Sequence, residues 1–123
     1  VKTPKTYAAH RLDIYDTELY VTTTKRGWAN IRRLVPFGEV DATAGGQTHS
    51  GQWQPDSGAP NENAIGIYIN PNHKMPGEHL NTCAHEATHA AEKILSDAAT
   101  EPAGEPLAYL VGWITRWLWE NTR

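Results

Sequence analysis

Hydrophobic and polar positions follow two periods along this chain. Ala64-Ile-Gly-Ile-Tyr-Ile-Asn70 alternates without a break, with Ile65, Ile67 and Ile69 on one side and Gly66, Tyr68 and Asn70 on the other. That period of two predicts a strand, which Pro71 ends. Residues 12–22 alternate less regularly but are rich in Ile, Tyr, Val and Thr, and predict a strand or hairpin. Thr23 or Thr24 can then cap a helix whose stripe is Trp28, Ile31 and Leu34 and which Pro36 ends. Gly27 inside that helix costs about 1 kcal/mol relative to Ala. From Pro76 to Ser96 the apolar residues Leu80, Cys83, Ala84, Ala87, Ala91 and Leu95 recur by threes and fours, which predicts a second helix. In a third, Leu107, Leu110, Val111, Ile114 and Leu118 form one broad face, and Trp113, Trp117 and Trp119 cover most of the rest. A helix so nearly apolar all round is either deeply buried or covered by a partner. The stretch from Gly38 to Asn63 has Val40 and Trp53 as its large apolar residues and predicts a loop, or a loose hairpin about Gly45-Gly46. The expected fold is α+β: a single domain with a small, twisted, mostly antiparallel sheet packed on the second helix, and further helices before and after it.

Composition narrows the functional classes. A chain of 123 residues fits one domain, and its one cysteine, Cys83, rules out a disulfide framework. The net charge of -3 gives no basic field for nucleic acid. Lys25, Arg26, Arg32 and Arg33 read as the solvated face of the first helix. No apolar run approaches the roughly 18 residues of a membrane span. The expectation is therefore a soluble, cytoplasmic protein without nucleic-acid or membrane partners, whose function resides in a local site.

The chemistry lies in His85-Glu86-Ala87-Thr88-His89. Histidines at i and i+4 stand one above the other on a helix, so both imidazoles can reach one metal ion. Glu86 is turned about 100° from His85 and falls beside such an ion, within reach of a water. With six histidines and nine glutamates in the chain, the motif would arise by chance in about 2 per cent of cases. Imidazole and carboxylate donors at this spacing favour zinc, and a catalytic zinc takes three protein ligands. A metzincin would carry Gly at position 92 and His at position 95, where this chain has Glu92 and Leu95. A carboxylate beyond the helix remains, with Glu105 the first choice and Glu101, Asp97 or another histidine as alternatives.

Over roughly residues 64–120, the strand ending at Asn70, the His85-Glu86-x-x-His89 helix and a following helix headed by Glu105, with Ala108-Tyr109 one turn on, resemble the gluzincin branch of the zincin metallopeptidases. The likeness is greatest to the minimal zincins of bacteriophages and to ImmA-type regulatory peptidases. It implies a minimal zincin-like fold, Zn2+ held by His85, His89 and Glu105, and hydrolysis of a peptide bond with Glu86 as base. It also implies a second electrophile, for which Tyr109 is the first candidate beside His73 and His79. An extended peptide or protein substrate would lie along an edge strand at Ile67, Tyr68 and Ile69. The alternative is a zincin-fold binding or assembly protein, phage-derived, with a structural zinc and little or no peptidase activity. A homo-oligomer or assembly contact is expected through the tryptophan-rich last helix.

Overall fold

In the computed structural model, which describes residues 6–41, 43–53 and 62–123, the alternating isoleucines form the centre of the molecule. The elements in chain order are β1 (Ala8–Leu12), a short 3-10 turn (Asp13–Tyr15), β2 (Thr17–Thr22), α1 (Lys25–Arg32), β3 (Gly46–Trp53), β4 (Glu62–Ile69), α2 (Glu78–Asp97) and α3 (Gly104–Thr122). The fold is α+β, with one four-stranded mixed sheet in the order β1-β2-β4-β3. The β1–β2 and β3–β4 pairings are antiparallel and β2–β4 is parallel.

Each strand divides its side chains between two cores. Leu19 and Val21 of β2 join Ile65, Ile67 and Ile69 of β4 beneath α2 and α3. Tyr20, Ala64 and Tyr68 point the other way, onto Trp28 and Ile31 of α1 and onto Val35 and Phe37 beyond it. Fully burying one such isoleucine contributes about 2 kcal/mol, so the sheet is held from both sides. The helix α2 presents Cys83, Ala87, Ala90, Ala91 and Ile94, and α3 presents Leu110, Ile114 and Leu118. Small residues on one partner let the two axes run close and antiparallel, with His79 near the start of α2 meeting Thr122 at the end of α3.

Three expectations change. The strand at Ile67, Tyr68 and Ile69 is not an edge: β4 is paired on both sides, and these residues are 0%, 4% and 0% exposed. An isoleucine-rich strand buried on both faces belongs inside a sheet. The stretch read as a loop contains the eight-residue strand β3, and Gly45-Gly46 lies at its start rather than at a hairpin tip. Residues 54–61 of that stretch lie outside the described residues. Leu34 is 49% exposed, and Val35, beyond the end of α1, takes the buried place.

Gly27 is not a defect either. A methyl group there would fall on the hydroxyl of Thr22 and the carbonyl of Thr6, so a missing side chain lets α1 sit against β2. Thr24 caps the same turn by accepting from the Gly27 N–H at 3.0 Å. Gly112, in the middle of α3, faces open space. The two helical glycines should therefore respond oppositely to alanine. In thermal or urea unfolding, Gly112→Ala should stabilise by about 0.5–1 kcal/mol, and Gly27→Ala should destabilise by about 1–3 kcal/mol.

Candidate functional site

Packing its small residues on α3 and the sheet turns another side of α2 outward, and His85 and His89 stand exposed on that side. Their Nε2 atoms lie 3.2 Å apart, with the rings inclined at 76°. Two imidazole nitrogens on one tetrahedral zinc, each at 2.0–2.1 Å from the ion, are separated by about 3.4 Å. The pair therefore matches the spacing that a shared ion requires.

Glu86 turns from this face towards the sheet and is 5% exposed. The Thr48 hydroxyl of β3 donates to its Oε1 at 2.7 Å and lies 3.3 Å from its backbone carbonyl oxygen. At Gly46 a Cβ would stand 2.9 Å from Glu86 Cγ and 3.0 Å from Oε2, so glycine lets the carboxylate rest against the strand. His85, Glu86 and His89 line one cavity of about 680 Å³ with Thr48, Ser50, His49, Glu39 and Lys93 also on its wall.

That cavity follows a sheet edge, since among the described residues β3 has β4 as its one neighbour. The Asn70 N–H donates to the Gly45 carbonyl at 2.9 Å. Antiparallel ladders alternate, so Gln47, His49 and Gly51 face their partners on β4 as hydrogen-bonded pairs. The backbone N–H and C=O groups of Gly46, Thr48 and Ser50 point away from β4, along the cavity.

The other anticipated site residues lie elsewhere. Glu105 and Tyr109 line a separate cavity of about 650 Å³ against β1, with no residue in common with the first. The two cavities flank opposite edges of the sheet, three strand spacings or about 14 Å apart. Glu105 lines this second cavity and no part of the wall around the histidine pair. Asp97 is held by Lys93 at 2.8 Å, and Glu101 is exposed ahead of α3. Among the described residues, no group of three or more His, Cys, Asp and Glu side chains is placed to hold an ion. His73 and His79 stack on each other, ring centroids 4.5 Å apart, where α2 begins, and His79 Nε2 lies 2.6 Å from the Thr122 hydroxyl.

His49 was missed because it falls in the stretch read as a loop. Its ring packs 5.0 Å from that of Trp28, and its Nε2 lies 3.2 Å from the Gln47 side-chain oxygen. Burial first, and the charge of Arg32 second, hold its pKa below the ordinary 6.5. The alternation of Thr48 and Ser50 towards α2 with Gln47 and His49 away from it was the available signal, but it is carried by polar residues only.

No family model matches the chain, and neither the curated proteins nor the solved structures give a match. No helix among the described residues is long and apolar enough to cross a membrane.

The two half-buried imidazoles make stability pH-dependent in a defined window. Burial likewise lowers the pKa of His79, helped by the charges of His73 and Arg123. The unfolded chain therefore takes up protons at His49 and His79 more readily than the folded one. Stability is full above the ordinary value of 6.5 and is lost as pH falls through it towards the lower folded values. Calorimetry of metal-free protein between about pH 8 and pH 5 should show a falling melting temperature, and the His49→Gln, His79→Gln double variant should show a flatter profile. An equally steep profile in the double variant would place the proton uptake elsewhere.

Proposed function

We propose that this chain is a zinc-dependent peptide hydrolase of minimal zincin-like form, acting on an extended segment laid along the open edge of β3. The observation that carries this reading is the 3.2 Å separation of the His85 and His89 ring nitrogens, set on a rigid helix beside a carboxylate held by the neighbouring strand. The two imidazoles would hold the ion. Among the described residues no third side chain of ligand type stands with them, and Glu105 lies in the other cavity. When bound, zinc would supply a Lewis acid and make a water more acidic.

The chain's own groups supply the rest. Glu86 accepts a proton from water in the cavity and returns it to the leaving amine. Thr48 fixes the carboxylate by donating to one oxygen, leaving the other for that exchange. The outward backbone groups of Gly46, Thr48 and Ser50 hydrogen-bond an extended peptide, which places alternate side chains on the two sides of the edge. Substrate recognition thus moves from Ile67, Tyr68 and Ile69 to β3. A second reading, a binding or assembly protein with structural zinc and no turnover, is favoured by the exposure of Tyr109 at 78% and Trp113 at 41% on α3.

Isothermal titration of metal-free protein with zinc should show one site, lost in His85→Ala and in His89→Ala and retained in Glu105→Ala. Bound zinc should also raise the melting temperature, by about 2.7 kcal/mol of stability at a hundredfold excess over Kd. Peptide-library cleavage followed by mass spectrometry should find a substrate for the wild type, and Glu86→Gln should keep its zinc while cleaving about 10²- to 10⁴-fold more slowly. Equal cleavage by the Gln variant would remove Glu86 from the chemistry. A zinc-loaded wild type inert towards the whole library would leave the binding-protein reading.

A further inference from the structure

The second cavity lies where β1, the 3-10 turn and the first turns of α3 meet. Its wall is apolar and aromatic, with Leu12, Ile14, Tyr15, Tyr109, Leu110 and Trp113 among its residues. His10 stands 4.8 Å from the Trp113 ring, which stacks on Trp117 at 6.3 Å. Ile14 is 85% exposed, so this surface is open to solvent. Above it runs β1, whose one neighbour in the sheet among the described residues is β2, so among those residues the backbone groups on its outer side have no ladder partner.

The charges around this groove are predominantly negative. Arg11 is its one lysine or arginine, and that guanidinium is already shared among Asp13, Asp16, Glu18 and Glu62 at 2.9–3.1 Å. The Glu105 carboxylate, on the opposite wall, makes no hydrogen bond or ion pair among the described residues. Neither do the Tyr109 hydroxyl and the Trp113 indole N–H. An apolar aromatic trough with a free carboxylate at its rim suits an aliphatic cation, whose stem packs on the rings while its charge meets Glu105 and the ring faces.

We propose that this groove docks an extended segment of a partner protein in which every second residue is lysine or arginine, paired to the open edge of β1 so that the cationic side chains lie in the trough. A second copy of this chain fits poorly, because the one cation its own β1 edge would bring, Arg11, is already held by four carboxylates. The inference does not rest on hydrolysis, since the groove and the histidine pair lie at opposite sheet edges.

The probe is a fluorescein-labelled hexapeptide alternating valine with lysine, compared by anisotropy with its glutamate counterpart at low and physiological salt. Saturable binding of the lysine peptide is expected, with the glutamate peptide and Glu105→Gln each weaker by about ten-fold. Tyr109→Ser, at a residue too exposed to support the core, should also weaken binding, and circular dichroism checks that both variants fold. The proposal is overturned by absent binding, by equal affinity for the two peptides, or by affinity that survives both substitutions. It is also overturned by binding lost instead on Ser50→Arg at the β3 edge. Self-association of the unliganded chain in sedimentation, abolished by Tyr109→Ser, would assign the groove to a second copy and overturn it as well.

Discussion

The hydrogen bond from Thr48 to the buried carboxylate of Glu86 is the interaction on which the polar edge of the molecule depends. A carboxylate withdrawn from water and left without a donor costs several kcal/mol, so the strand that supplies the hydroxyl is tied to the helix that carries the acid. The strand has few other means of attachment to α2. The residues it turns towards that helix, Gly46, Thr48 and Ser50, are small or polar and bring little apolar area. Its register follows from the same bond, because a slip of one residue would turn Thr48 to the other face and bring Gln47 or His49 over the carboxylate. Neither would fit where Gly46 and Thr48 now lie against Glu86. Fixing the register in this way also fixes which backbone groups face outward.

The sheet then separates two kinds of surface. Covering β2 and β4 on both faces uses all three helices and leaves β1 and β3 as edges. The edges differ because the helices beside them differ. The helix α2 is rich in alanine where it meets α3 and carries its histidines and acid towards β3. In α3, large aromatic residues extend beyond the buried stripe to β1. The result is a polar, hydrogen-bonding cleft at one edge and an aromatic trough at the other.

Sequence periodicity located β4, α1, α2 and α3, because each carries a buried apolar face that repeats. It placed His85, Glu86 and His89 together for the same reason, since positions one, two and five of a short helical stretch have fixed relative directions. It failed where position depends on the partner. The strand β3 is held by pairing and by one polar contact, so its sequence, Gly-Gln-Thr-His-Ser-Gly-Gln-Trp, lacks a hydrophobic period. Whether a strand is central or at an edge depends on its neighbours, although isoleucine on one side and a buried Tyr68 on the other were hints for β4. Glu105 is the clearest case. Loop length allowed α3 to return beside α2, but the rotation of α3 about its axis is set by Leu110, Ile114 and Leu118, and that rotation carries Glu105 to the far edge.

The histidine pair and Glu86 are held by different partners. Two ring nitrogens 3.2 Å apart cannot both present lone pairs to each other: either one carries an N–H that donates to the other, or a cation lies between them. The i, i+4 spacing holds them there without distorting the backbone, so a cation would find two donors already placed. Glu86 does not join that pair, because Thr48 draws its carboxylate towards the strand. The carboxylate thereby stays apart from the two imidazoles, and the residue that keeps it there belongs to the strand at this end of the sheet. A change at Thr48 would therefore disturb the orientation of the carboxylate and the register of the edge together.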